Sequence, residues 1–252
     1  MSIRGVLLDI GGVLYVGDTP IEGAGVALAA LQSSGRPMRF LTNTTSSPKR
    51  VVLEKLARMG FEVAPEELFT PAAAARDWLS SRGLTPWLLV AESLREDFPE
   101  AEGKPNAVVV GDAGSCFTYD ALNQAFRLVM EGAPLIALAK NRYFMKPEGL
   151  TLDAGAYVAA LEYAAEVEAT VLGKPSADFF DMALSSMGCG AAEAVMIGDD
   201  WESDVNGAVA SGLRGILVKT GKYKKGDEDK LEGEAMTAAD IVEAAEMIVS
   251  SG

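Results

Sequence analysis

Short apolar runs alternate with segments of helical periodicity along this chain, and that alternation restricts its fold more than any other feature. Residues 3–8 (IRGVLL) read as a buried strand, after which Ala24, Ala27, Leu28 and Leu31 recur at helical spacing until Ser33, Ser34 and Gly35 interrupt them. MRFLTN (38–43) reads as a second strand. Val52, Leu56 and Met59 mark a second helix, which Ser47-Pro48 opens and Gly60 closes. A β-α-β-α order predicts an α/β fold with a parallel sheet and helices on its faces.

The middle of the chain repeats the alternation. TPWLLVA (85–91), NAVVVG (106–111) and APLIALA (133–139) read as strands of a second, smaller sheet, with helices over 118–132 and near 153–166. The final third supplies strands at ATVL (169–172), AVMIGDD (194–200) and GILV (215–218), a helix over Pro175 to Met187 and a last helix near 238–249. The mixed charge cluster KYKKGDEDK (222–230) reads as a solvated loop.

Composition narrows the chemistry. A net charge of -14 disfavours nucleic acid and anionic membrane as partners, because both reward positive charge. An anionic substrate therefore needs local help from a metal, a lysine or backbone N–H groups. The apolar run in MSIRGVLLDI is too short for a signal peptide and no segment approaches the ~20 apolar residues of a membrane span, so a cytoplasmic location is expected. Cys116 and Cys189 are few and far apart, which predicts free thiols. The chain has no histidine, which excludes His-dependent triads, His-ligated zinc and phosphohistidine intermediates. Catalysis must use carboxylates, lysine, hydroxyls or a hard metal.

In open parallel sheets, ligands bind beyond the carboxyl ends of the strands. Polar residues accumulate at those ends: Asp9 after the first strand, Thr42 and Asn43 after the second, Asp199 and Asp200 after AVMIG. A single Asp there reads as a turn or cap residue; three polar strand ends together weaken that reading. Carboxylates brought side by side need a cation, and oxygen ligands without His or Cys select a hard ion, Mg²⁺ before zinc. Asp204 stands where the next helix should begin, as its N-terminal cap, as a support for the metal, or as both. Lys174, between a strand and a helix, is either a surface lysine or a counter-charge for substrate.

The ordered set D-I-G-G-V-L, L-T-N-T, G-K-P and G-D-D-W-E-S-D resembles the four signatures of the haloacid dehalogenase superfamily. The long insertion between the second and third resembles the cap of its subfamily IIA. The resemblance implies a Rossmann-like parallel-sheet core (1–70 and 172–252) with an inserted α/β cap domain (71–171) of the kind that subfamily carries. It implies an Mg²⁺-dependent phosphatase acting on a small phosphorylated substrate or pyrophosphate. Asp9 would be nucleophile and metal ligand, with the Gly11 carbonyl and Asp199 as further ligands and Asp204 steadying the ion. Thr42, Asn43 and Thr44 would hold the phosphoryl oxygens, and Lys174 would neutralise nucleophile and phosphate. Gly12, with Gly11, would let the backbone bend around metal and phosphate.

One position departs from that pattern. The superfamily phosphatases it resembles carry a second Asp two residues after the nucleophile as general acid and base; here that position is Gly11. The departure leaves two readings open. The enzyme favours leaving groups that depart without an acid, as in pyrophosphate or a P–N phosphoramidate, or the chain is a catalytically weak phosphate-binding module. In the cap, Asn141 and Arg142 are the candidate substrate contacts, Arg142 by bidentate bonding to a distal phosphate, although a surface position explains it as well. A homodimer is possible by analogy with the family.

Overall fold

The computed structural model describes residues 3–100, 102–146 and 149–250. Its contacts divide the chain into two compact units, one made of Met1–Thr42, Leu53–Phe69 and Lys174–Gly252, the other of Asn43–Val52 and Thr70–Gly173. Residues 43–52, which the sequence reading keeps with the first unit, cluster with the second.

The first unit is built on six parallel strands in the order Ala235–Ala238, Arg214–Val218, Ala194–Gly198, Gly5–Asp9, Met38–Leu41 and Leu68–Phe69. Every residue of Gly5–Asp9 and of Ala194–Gly198 is buried, which is why both read as unbroken apolar runs rather than alternating ones. Helix Ala24–Ser33, which buries Ala24, Ala27, Leu28 and Leu31, packs against helix Ile241–Val249, which buries Ile241, Ala244, Ala245 and Ile248. Helix Ala177–Met187 buries Phe179, Phe180, Ala183 and Leu184 and packs near strands Gly5–Asp9 and Met38–Leu41.

The second unit holds four parallel strands in the order Thr170–Val171, Leu135–Ala137, Ala107–Val110 and Pro86–Leu89. Helices Tyr119–Met130 and Ala154–Ala165 cover it, burying Ala125, Val129, Val158 and Leu161 against Val108, Val110 and Leu135. Thr118 and Asp153 cap these two helices, each side chain accepting a backbone N–H.

Several elements escaped the sequence reading. Strand Ala235–Ala238 sits at the sheet edge and its sequence, AMTA, has little β propensity. Helix Pro71–Ser80 is opened by Thr70, whose hydroxyl accepts from Ala73 N–H at 3.2 Å. Two hairpins, Tyr15–Val16 with Thr19–Pro20 and Tyr143–Lys146 with Gly149–Leu152, are too short to leave a period. The solvated-loop reading of 222–230 holds for Lys222, Lys224, Lys225, Asp229 and Lys230, which are exposed, but Asp227 is buried, accepts from Lys224 N–H and from Lys230 Nζ at 2.8 Å each, and begins a short 3₁₀ turn, Asp227–Lys230. Both cysteines are free thiols. Among the described residues no helix is long and apolar enough to cross a membrane.

Candidate active site

In the first unit the chain order reverses at the central pair of strands. From Gly5–Asp9 the sheet grows one way through Met38–Leu41 and the other way through Ala194–Gly198. Their register pairs Leu8 with Ile197, so Asp9 and Asp199 emerge at the same carboxyl end, beside the point of reversal. That is where an open parallel sheet leaves a crevice.

Three carboxylates meet there. Asp9, Asp199 and Asp204 are all buried, and each contributes an oxygen lying within 4.8 Å of the other two. Lys174, itself only 3% exposed, pairs with Asp9 Oδ1 and sits 2.7 Å from Asp204 Oδ1. Its ammonium is the product of chain order: the strand Thr170–Val171 ends just before it, and the helix Ala177–Met187 starts just after.

One ammonium against three carboxylates leaves two negative charges uncompensated when all are ionised. The titration behaviour follows. Burial pushes the Asp9 carboxyl up to about 7, with Lys174 pulling against it and Asp204 and Asp199 adding to the rise. Burial and the Asp204 charge raise Asp199 to about 6, opposed by the Lys222 N–H. Burial works to lower Lys174, but Asp204 and Asp9 outweigh it and hold the ammonium above its ordinary value.

Asp199 supplies the test of whether these residues suit a cation. Its Oδ2 accepts the Lys222 N–H at 2.7 Å, whereas Oδ1 is buried with no hydrogen-bond donor. A buried carboxylate oxygen without a donor is costly unless an ion satisfies it. An all-oxygen set carrying surplus negative charge fits a hard divalent ion, and Asp9, Asp199 and Asp204 are the residues that would hold it.

Gly12 makes this proximity possible. Its φ of +82° lies in the left-handed region, and a Cβ there would fall 1.8 Å from Asp199 Oδ2. Asp204 corrects an expectation: it does not cap the element that follows. Asp200 does, its carboxylate accepting from Glu202 and Ser203 N–H at 3.1 Å each, with Lys222 Nζ 3.3 Å away. Despite burial, those contacts hold Asp200 below its ordinary value. The element is a π-helical turn, Trp201–Asn206, and Asp204 lies inside it, facing Lys174.

Thr42 is buried at the end of its strand and its N–H donates to Phe69 O at 3.1 Å. Gly11 is half-buried, and a Cβ there would meet only Asp9 Oδ2, at 4.0 Å. Asn43 and Thr44 are half-buried and belong to the second unit, where Thr45 Oγ1 accepts from Asp112 N–H at 3.2 Å. Asn141 and Arg142 are exposed on that same unit, ahead of the hairpin. Lys222 was missed: it lies in the segment read as a solvated loop, although it closely follows the end of strand Arg214–Val218 at the polar strand ends.

Residues 6–104 match a family described as haloacid dehalogenase-like hydrolase, and residues 171–244 match a second HAD-hydrolase-like family. Haloacid dehalogenase-like hydrolase domain-containing protein 2 of Homo sapiens is 46% identical over 231 residues, 91% of this chain and 89% of its own. The chain belongs to the haloacid dehalogenase-like hydrolases. Phospholysine phosphohistidine inorganic pyrophosphate phosphatase of Homo sapiens is 42% identical over 256 residues, covering 98% of this chain and 95% of that one. Among solved structures, 4-nitrophenylphosphatase of Thermotoga maritima is similar with a TM-score of 0.88 and 25% identity, covering 98% of this chain and 97% of that one. This haloacid dehalogenase-like protein is accordingly an enzyme of the hydrolase class.

Proposed function

We propose that this hydrolase is an Mg²⁺-dependent phosphatase that acts through Asp9 on a small phosphorylated compound. The observation that carries the reading is the buried Lys174 ammonium bonded to both Asp9 and Asp204, beside the donorless oxygen of Asp199. A carboxylate held against an ammonium at a strand end is poised as an oxygen nucleophile. Asp9 attacks phosphorus, the leaving group departs with its bonding pair, and water then hydrolyses the aspartyl phosphate. Lys174 favours the ionised form of Asp9 against its burial and offsets charge on the phosphoryl oxygens, and the Thr42 hydroxyl helps to orient them. When bound, Mg²⁺ supplies further neutralisation at those oxygens.

Gly11 supports a narrower choice of substrate. With no side chain there to donate a proton, favoured substrates are those whose leaving group needs none from the enzyme, such as pyrophosphate, which releases phosphate, or a P–N phosphoramidate whose nitrogen already carries the proton with which the amine departs. Mg²⁺-dependent phosphate release from pyrophosphate, imidodiphosphate, p-nitrophenyl phosphate and an alkyl phosphate tests this, with Asp9→Asn as control. Turnover lost in the variant and confined to the good leaving groups is the expected result. Binding of phosphate without turnover of any substrate would replace it with the reading of a phosphate-binding module, which the bare Gly11 also favours.

A further inference from the structure

Thr220, Gly221 and Lys222 follow strand Arg214–Val218 and lie outside the four signatures, yet all three approach Asp199 or the loop behind it. Lys222 N–H donates to Asp199 Oδ2 at 2.7 Å. Gly221 backs onto the same oxygen: a Cβ there would fall 2.1 Å from Asp199 Oδ2 and 2.4 Å from Gly12 Cα. Thr220 Oγ1 donates to the Gly12 carbonyl, which ties this loop to the one that follows Asp9. A carboxylate rotates easily about its terminal bond, and either oxygen could then face an ion. Here Oδ2 is fixed by the peptide N–H and closed in by two glycines, which leaves Oδ1, buried and without a donor.

We propose that residues 220–222 orient the Asp199 carboxylate for a divalent cation, and that Thr220 is the positioning residue that holds this loop against Gly12. The inference rests on reading the carboxylate cluster as a cation site. Groups that hold a metal ligand in place typically change metal affinity by about 10- to 100-fold when removed. Thr220 acts through the loop rather than on the carboxylate itself, so the lower end of that range applies.

Calorimetric titration of the full chain with Mg²⁺ tests this, comparing wild type with Thr220→Val, Thr220→Ala, Thr220→Ser and Asp199→Asn, alongside metal-free thermal unfolding. Valine keeps the shape of threonine without its donor. Val and Ala variants that fold but bind Mg²⁺ about 10-fold more weakly, with the Ser variant restoring affinity, are the expected result. Wild-type affinity in the Val and Ala variants, whatever their Tm, would overturn the positioning role while leaving the cation site standing through the loss in Asp199→Asn. A Ser variant as weak as Val would also overturn it, because the hydroxyl would not be the cause. No Mg²⁺ binding by wild type, or undiminished binding by Asp199→Asn, would remove the cation reading and this inference with it.

Discussion

The Lys174 ammonium lies 2.7 Å from the Asp204 carboxylate, both side chains being 2% exposed, and the same ammonium pairs with Asp9. One buried cation thus joins the first strand, the π-helical turn and the start of the third signature.

Removing that cation strands two buried carboxylates. Breaking a buried pair by deleting one partner costs about 3–5 kcal/mol, so Lys174→Met is expected to lower stability by that order at neutral pH. Turnover is expected to fall by about 10²-fold or more. Urea unfolding and phosphate release measure the two effects, and a variant as stable as wild type would show that the pair is not a structural tie.

Asp9 at about 7 and Asp199 at about 6 both stand above the ordinary 3.8. Between about pH 4 and about pH 7 the folded, metal-free chain therefore holds protons that the unfolded chain has released, and rising pH removes stability through that window. A divalent ion held by the same oxygens would compete with those protons, so its binding would tighten as they leave. The rise in Tm on adding Mg²⁺ is expected to be larger near pH 8 than near pH 5. Equal shifts at the two pH values would detach the ion from these carboxylates.

Gly11 has an ordinary backbone conformation and open space around its Cα, since an added Cβ would meet only Asp9 Oδ2 at 4.0 Å. Gly11→Asp should therefore fold. A positioned acid or base is worth about 10²–10⁴ in rate, so the variant is expected to gain most on alkyl phosphates and little on p-nitrophenyl phosphate. A uniform change across leaving groups would show that proton transfer is not what Gly11 withholds.

Gly12→Ala introduces both a left-handed backbone strain and a Cβ 1.8 Å from Asp199 Oδ2. Strain of this kind costs about 1–3 kcal/mol, and the displaced carboxylate should weaken Mg²⁺ binding. Chemical unfolding and metal titration read the two losses. Retention of full Mg²⁺ affinity would mean that Asp199 can move without consequence to the ion.

The buried strands were legible because burial on both faces leaves unbroken apolar runs, as in GVLLD and AVMIG. The first helix was legible because Ala24, Ala27, Leu28 and Leu31 recur at helical spacing, and these are the residues it buries. Ala235–Ala238 was not, because an edge strand with small side chains is defined by its neighbour rather than by its own propensity. Asp200 and Asp204 show the same division within the site. Both are acidic residues after a strand, and spacing alone cannot say which one accepts the free N–H groups.

Taken by itself, the sequence determined the parallel sheet, the carboxylates at its strand ends and, through the absence of histidine, a choice limited to carboxylates, lysine, hydroxyls or a hard metal. Those follow from local periodicity and residue type. Only the tertiary structure decided that Asp204 turns inward to Lys174 while Asp200 caps, and that the Thr220–Lys222 loop closes on Asp199. The contacts of Lys174 with Asp204, of Thr220 with Gly12 and of Lys222 with Asp199 join residues far apart in the chain, and their geometry is set by sheet order and backbone close approach, which no local pattern encodes.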